Sequence, residues 1–445
     1  MNVHRNIPSS TRTSLFFILA LAALGLAACT KPTPPAGAAP TPAAEIPEAP
    51  TEAPAAEETP AFVCDDDIDT SELTPEQQAL ADKLWEQTLT YLRGFVTALE
   101  TSRLCLDSPL AVIQTNDGKS DDPQTRCVSR YRDVELMVKH INWVLDNPES
   151  ARECFDLQKN YEAFPLYSPN QAMKAASDVA SFIDRTTLEE YYADKEGTVG
   201  EAGRELAQGF EAILKNTDSK AFVDVDMTYQ GLPDLWTAVG WLPFYAENPK
   251  AINERFRGGY AYAEVMGPWG LLRIKEIGGE LVGAEVGMTI QVESFYPYHF
   301  HHSQELYMNI GKSSCPKQNT FMVMHWDNPS FAQQRTEDGW DVSIDKSKGK
   351  HRKATWFRPT SPSDPNEWIA YYERNAIHAT RVGAKCGKGD APSGFAQVWA
   401  RTSSRDNNPT TKICVPVDKS GNPIEGVTEV SDTDPVVCNL EDWKP

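Results

Sequence analysis

His299, His301, Glu305 and Tyr307 all fall on odd positions in the stretch from Tyr296 to Tyr307. Alternate residues of extended backbone share a face, so two imidazoles, a carboxylate and a phenol are directed at one point. A short even-length turn between His301 and Glu305 would not change this. Such donors suit one divalent transition metal, Zn foremost, with Fe, Mn, Ni and Co as alternatives. The phenol beside them is a candidate base. A free tyrosine titrates near roughly 10, so it serves as a base at neutral pH only where a cation stabilises the phenolate. Two bland readings compete: His299 facing the substrate instead of the metal, and a Tyr307 hydroxyl that only hydrogen-bonds a ligand. His302 points to the opposite face, and no spacing recommends His325 or His351.

The elements that must position this group lie after Gly270. Short β-like runs, punctuated by Gly, Asn, Asp and Pro, extend from Leu271 to Ile277, Met288 to Phe295, Glu305 to Ile310, Thr320 to His325, Trp340 to Ile344, Glu367 to Tyr372, His378 to Val382 and Phe395 to Thr402. Many short strands at this spacing predict an all-β barrel or sandwich. The first half reads differently. Thr74-Pro75-Glu76-Gln77 places a capping residue before a first-turn proline, and Leu80, Leu84, Leu92, Val96 and Leu99 follow at helical spacing. Similar patterns run from Val134 to Leu145, Gln171 to Ile183 and Glu201 to Leu214. Between Leu232 and Gly270 the chain turns aromatic and rich in Pro and Gly, which marks the junction of the two halves. The predicted class is α+β, in two domains plus N-terminal extensions.

Arg5 and Arg12 precede an apolar run from Leu15 to Leu26 that is too short to span a membrane comfortably. Leu26-Ala27-Ala28-Cys29 resembles a lipobox, which implies a lipoprotein signal peptide over 1–28 and lipidation of Cys29. Thr30, rather than Asp, implies sorting to the outer membrane and hence a periplasmic location. Residues 29–62, mostly Pro, Ala, Glu and Thr, read as a disordered acidic tether. Eight of the nine cysteines remain, at 64, 105, 127 and 154 and at 315, 386, 414 and 438, which suits an oxidising compartment and pairing within each half. No Cys-x-x-Cys spacing supports a thiolate metal site. The formal charge of −21 disfavours nucleic acid and anionic lipid surfaces as partners and leaves a zwitterionic small molecule open.

The order His299-x-His301-x-x-x-Glu305, followed much later by His378, resembles the metal motifs of the cupin superfamily. Glu293, Glu373 and Asn375 replace residues usual in those motifs, and Gly311 comes one place early. With Tyr307 added, the pattern is similar to the signature of cupin-type dimethylsulfoniopropionate lyases, and the long helical region ahead of it resembles the DddY type. The resemblance implies a helical cap domain over 63–245 followed by a cupin (double-stranded β-helix) catalytic domain over 246–445. It implies His299, His301, Glu305 and His378 as metal ligands and Tyr307 as the base in a β-elimination that yields dimethyl sulfide and acrylate. The sulfonium end of the substrate needs aromatic faces, for which Tyr260 and Tyr262 are candidates. Alternatives are another metal-dependent cupin, such as a dioxygenase or isomerase, and a non-catalytic periplasmic osmolyte- or metal-binding lipoprotein.

Overall fold

The computed structural model describes residues 60–101 (without 67 and 69–71), 111–114, 132–157, 184–215, 231–243 and 253–309 (without 302). It also describes 320–326, 331–336, 339–344, 354–357, 369–372, 378–383, 394–402, 411–416 and scattered positions among 227–229 and 418–437. All belong to the compact unit Glu58–Pro445. The signal peptide, Cys29, nearly all of the tether and the helix expected from Gln171 to Ile183 lie outside the described residues.

Helix α1 (Pro75–Thr101) begins as its sequence dictates: the Thr74 N–H donates to Gln77 Oε1 at 2.8 Å and the Gln77 N–H to Thr74 Oγ1 at 3.3 Å. Leu80, Leu84, Leu92, Val96 and Leu99 are all buried. Helices α2 (Arg132–Asp146), α3 (Pro148–Ala151), α4 (Asp184–Ala193), α5 (Gly197–Lys215), α6 (Pro233–Ala238) and α7 (Glu254–Gly259) follow.

The strands form two main sheets. One has seven strands in the order β2 (Ala111–Gln114), β14 (Ile369–Tyr372), β9 (Glu305–Asn309), β16 (Gly394–Thr402), β7 (Ala284–Val292), β4 (Tyr260–Met266) and β3 (Leu242–Pro243). The other has five, in the order β13 (Ala354–Phe357), β10 (Thr320–Trp326), β15 (His378–Arg381), β8 (Phe295–Phe300) and β17 (Lys412–Ile413). Among the described residues neither sheet closes on itself, so the ladders form two sheets and not one closed barrel. Strands β1 (Phe62–Cys64) and β2 come from the first half of the chain and pair with β5 (Ile274–Ile277) and β14 of the second.

Alternation on the seven-stranded sheet separates chemistry from packing. Val286, Met288, Ile290 and Val292 on β7, Ala261, Ala263 and Val265 on β4, Leu306 and Met308 on β9, and Val398 and Ala400 on β16 join one apolar cluster with Leu92, Phe95 and Phe210 of the helices. Each such large side chain contributes about 1.5–3 kcal/mol on burial. The other parity carries Glu285, Tyr260, Tyr262, Glu264, Glu305, Tyr307, Trp399 and Arg401, all of which line one cavity. The Tyr91 hydroxyl of α1 donates to the carbonyl of Gly287 at 2.6 Å, fixing the helix to the sheet. Gly287 must be glycine, because a Cβ would stand 1.8 Å from Ala263 O.

A disulfide joins Cys64 to Cys154, a pair within the first half as expected, and Cys414 is also disulfide-bonded. Cys105, Cys127, Cys315, Cys386 and Cys438 lie outside the described residues. Beside Cys154, buried Arg273 pairs with buried Asp156.

Candidate metal centre

The four ligand candidates converge from both sheets. His299 sits on β8 and His301 directly follows it, whereas Glu305 opens β9 of the other sheet. His378 opens β15 and pairs in register with His299. One donor atom from each residue lies within 4.8 Å of the others, and all four residues are buried. The segment from Tyr296 to Tyr307 is therefore not one strand face. It is a crossing between sheets that keeps the parity of both strands.

Tautomers follow from the hydrogen bonds. A carbonyl accepts only, so His299 Nδ1–H donates to Pro297 O and His301 Nδ1–H to Ser303 O, each at 2.8 Å. Burial lowers the pKa of His301, and burial together with neighbouring His378 lowers that of His299 further. A neutral His301 then directs its Nε2 lone pair at Glu305 Oε2, 3.0 Å away, and His378 Nε2 approaches the same oxygen at 2.8 Å. Burial pushes the Glu305 carboxyl up; positive charge or a donated N–H on its His301 and His378 side pulls it well below the usual range, and a neutral His301 supplies neither. An anionic oxygen facing the lone pair of His301 Nε2 is unfavourable unless positive charge lies between them. The donor set therefore fits a divalent cation bound by His299, His301, Glu305 and His378.

Three contacts fix these ligands. Trp399 Nε1–H donates to Glu305 Oε1 at 2.5 Å, which leaves Oε2 turned to the histidines. Tyr296 stacks on His299 with centroids 3.9 Å apart, and Phe256 stacks on Tyr296 at 4.0 Å. Tyr372 stacks on His378 at 3.9 Å. None of these partners carries a sequence signal of its own. Trp399 is recognisable only through the register that sets it opposite Tyr307. Replacing Trp399 with Phe is expected to weaken metal binding by roughly 10- to 100-fold. Competition with a chromophoric chelator measures this, and unchanged affinity would remove the role.

Tyr307 is 2% exposed and lines a cavity of about 70 Å³ together with His299, His301 and Glu305. Burial pushes its phenol well above 10, and the Glu305 carboxylate and Tyr260 add to this. The polypeptide alone keeps Tyr307 protonated. Tyr260 and Tyr262 line the same cavity, with Tyr260 5.5 Å from Tyr296 and Tyr262 5.6 Å from Trp399 between centroids. Glu264, Glu285 and Arg401, not singled out from the sequence, complete this wall.

No family model matches the chain. Among solved structures, the DMSP lyase DddQ from Ruegeria pomeroyi DSS-3 is 12% identical with a TM-score of 0.24, covering 41% of this chain; the chain spans 64% of that structure's length. A structure of the DMSP lyases RdDddP and RnDddQII gives 12% and 0.23, covering 54% of this chain and 94% of the other. The dimethylsulfoniopropionate lyase DddY of Shewanella woodyi is 35% identical over 362 residues, which are 78% of this chain and 85% of that protein. On that likeness, extending over most of both sequences, the chain belongs to the dimethylsulfoniopropionate lyase family of DddY.

Proposed function

We propose that this protein cleaves dimethylsulfoniopropionate to dimethyl sulfide and acrylate by β-elimination. The observation that carries the reading is the buried group of three histidines and Glu305, with Tyr307 two residues along the same strand, in a chain of the DddY family. A divalent cation held by His299, His301, Glu305 and His378 would act as a Lewis acid toward the substrate carboxylate, acidify the adjacent C–H and favour the Tyr307 phenolate. Its identity is proposed as Zn, with Fe, Mn, Ni or Co as alternatives. Tyr307 Oη takes the proton from the carbon next to the carboxylate. The released electron pair forms the carbon–carbon double bond as the C–S bond breaks. The leaving sulfide is neutral, so no general acid is required. The faces of Tyr260 and Tyr262 receive the sulfonium.

The wider arrangement belongs to the same proposal. The helical part, 63–245, covers a cupin-type catalytic part, 246–445. Residues 1–28 export the chain, and lipid on Cys29, followed by the tether to residue 62, holds it at the periplasmic side of the outer membrane. Headspace detection of dimethyl sulfide from purified protein and dimethylsulfoniopropionate, with metal analysis of the same sample, tests the activity. Metal-loaded protein that releases none, or that instead consumes oxygen or yields an isomer, ends this reading.

A further inference from the structure

Strand β8 is irregular just ahead of its metal-ligand candidates. His378 pairs with His299 but Thr380 pairs with Tyr296, so a step of two residues on β15 matches a step of three on β8. This is a bulge, and it includes Pro297, which has no N–H to donate to the ladder. The extra residue breaks the alternation. Tyr296 and His299 would face opposite ways in a regular strand, yet here their rings stack with centroids 3.9 Å apart and planes 13° apart. Phe256 stacks on Tyr296 at 4.0 Å and 14°. Two rings cannot occupy one face, so Phe256 covers the face of Tyr296 turned away from His299. Three near-parallel rings thus end on a metal ligand.

Phe256 comes from helix α7, not from either sheet. Asn253 caps that helix, its Oδ1 accepting from the Phe256 N–H at 2.8 Å. Arg255 pairs with Glu205 of α5, and its Nε–H donates to the Glu293 carbonyl at 3.0 Å, between β7 and β8. The backbones of α7 and α5 touch: a Cβ on Gly258 would stand 2.0 Å from the Val199 carbonyl oxygen and 2.9 Å from the Gly203 nitrogen. A six-residue helix has little stability of its own, so these contacts decide where it lies. Phe256 is 1% exposed and stands outside the lining of the Tyr307 cavity.

Resting on the metal centre proposed above, we propose that Phe256 is a positioning residue for the ligand His299, acting through the Tyr296 ring. Helix α5 of the helical half, by seating α7, thereby helps to set the geometry of the centre. The bond from His299 Nδ1–H to Pro297 O holds one edge of the imidazole, and the stacked ring holds its plane. Together they aim Nε2 at the other donors. A ligand ring that must be ordered when the cation binds costs affinity, and the stack orders it beforehand.

The test is a cycle of zinc affinities, measured by competition with a chromophoric chelator, for the unaltered protein, Phe256→Leu, Tyr296→Leu and both together. Leucine fills most of the space and removes the ring face. Phe256→Leu is expected to weaken zinc binding roughly tenfold when Tyr296 is present. With Tyr296→Leu it should change affinity by less than about twofold, because the ring through which it acts is gone. A residue that only fills the core lowers the Tm of metal-free protein and shifts zinc affinity by the same factor in both backgrounds. That result, or affinity within about twofold when Tyr296 is present, would overturn the proposal. Where Phe256→Leu fails to fold, hydrogen exchange on the unaltered protein decides. Coupling is reciprocal, so removing zinc should speed exchange of the Phe256 and Arg257 amides, both held by Asn253, at least roughly threefold. Unchanged exchange there overturns the coupling. Unaltered protein that retains no zinc removes the centre itself and this proposal with it, whereas tight binding that Phe256→Leu leaves intact removes this proposal alone.

Discussion

Tyr307→Phe is expected to lower turnover of dimethylsulfoniopropionate by about 10²- to 10⁴-fold while metal content and substrate affinity stay near those of the unaltered protein. The substitution removes one oxygen from a side chain that is 2% exposed, and the ring keeps its place between Leu306 and Met308, which face the apolar cluster. What disappears is the group that accepts the proton. Burial and the Glu305 carboxylate both push the phenol above its ordinary range, so this base works only while positive charge occupies the histidine and carboxylate group. The alternatives predict different numbers. A hydroxyl that merely orients a ligand loses a few-fold and takes affinity with it, and a non-catalytic binding protein is nearly indifferent.

The site was legible in the sequence because parity survives a sheet crossing. His299 and His301 belong to the end of β8, Glu305 and Tyr307 to β9 in the other sheet, and the residues between them turn without reversing the alternation. Odd numbers therefore still meet, although not on one strand. His378 has no local spacing to mark it. Its place comes from the pairing of β15 with β8, which sets it beside His299 and which only the family resemblance anticipated. Trp399, Arg401 and Glu285 stayed hidden for the same reason, since each acquires its role from cross-strand register on β16 and β7.

The helices were legible where apolar residues recur at helical spacing, as in α1 with its reciprocal Thr74 and Gln77 cap. Strand β4 was not, because Tyr260–Met266 is buried throughout and so shows no polar alternation to read. Its tyrosines were noticed, but the run was grouped with the aromatic junction. Strands β1 and β2 were missed because their partners lie far along the chain, on β5 and β14, and a run of three or four residues carries no period.

His301→Ala is expected to abolish both metal retention and activity. The imidazole connects two parts of the centre: Nδ1–H is held by Ser303 O, and Nε2 stands 3.0 Å from Glu305 Oε2. Deleting it removes a donor and leaves the buried Glu305 with one fewer partner, so folding must be measured apart from metal binding. Thermal unfolding with and without chelator separates them. A ligand bound only by the native state stabilises it by mass action, so the unaltered protein should lose Tm when its metal is stripped. The variant should have the lower Tm already and show no response to chelator, because it has no metal to lose. Glu305 is then the informative residue to vary next. Its Oε1 accepts from Trp399 and its Oε2 faces two histidines, so Glu305→Gln keeps the side chain's shape while it removes the charge and turns an NH2, which cannot bind a cation, toward the histidines. If this carboxylate oxygen holds the cation, that variant also loses metal while its fold survives. Full activity from either variant, or from unaltered protein freed of metal, would mean that the elimination does not depend on this centre.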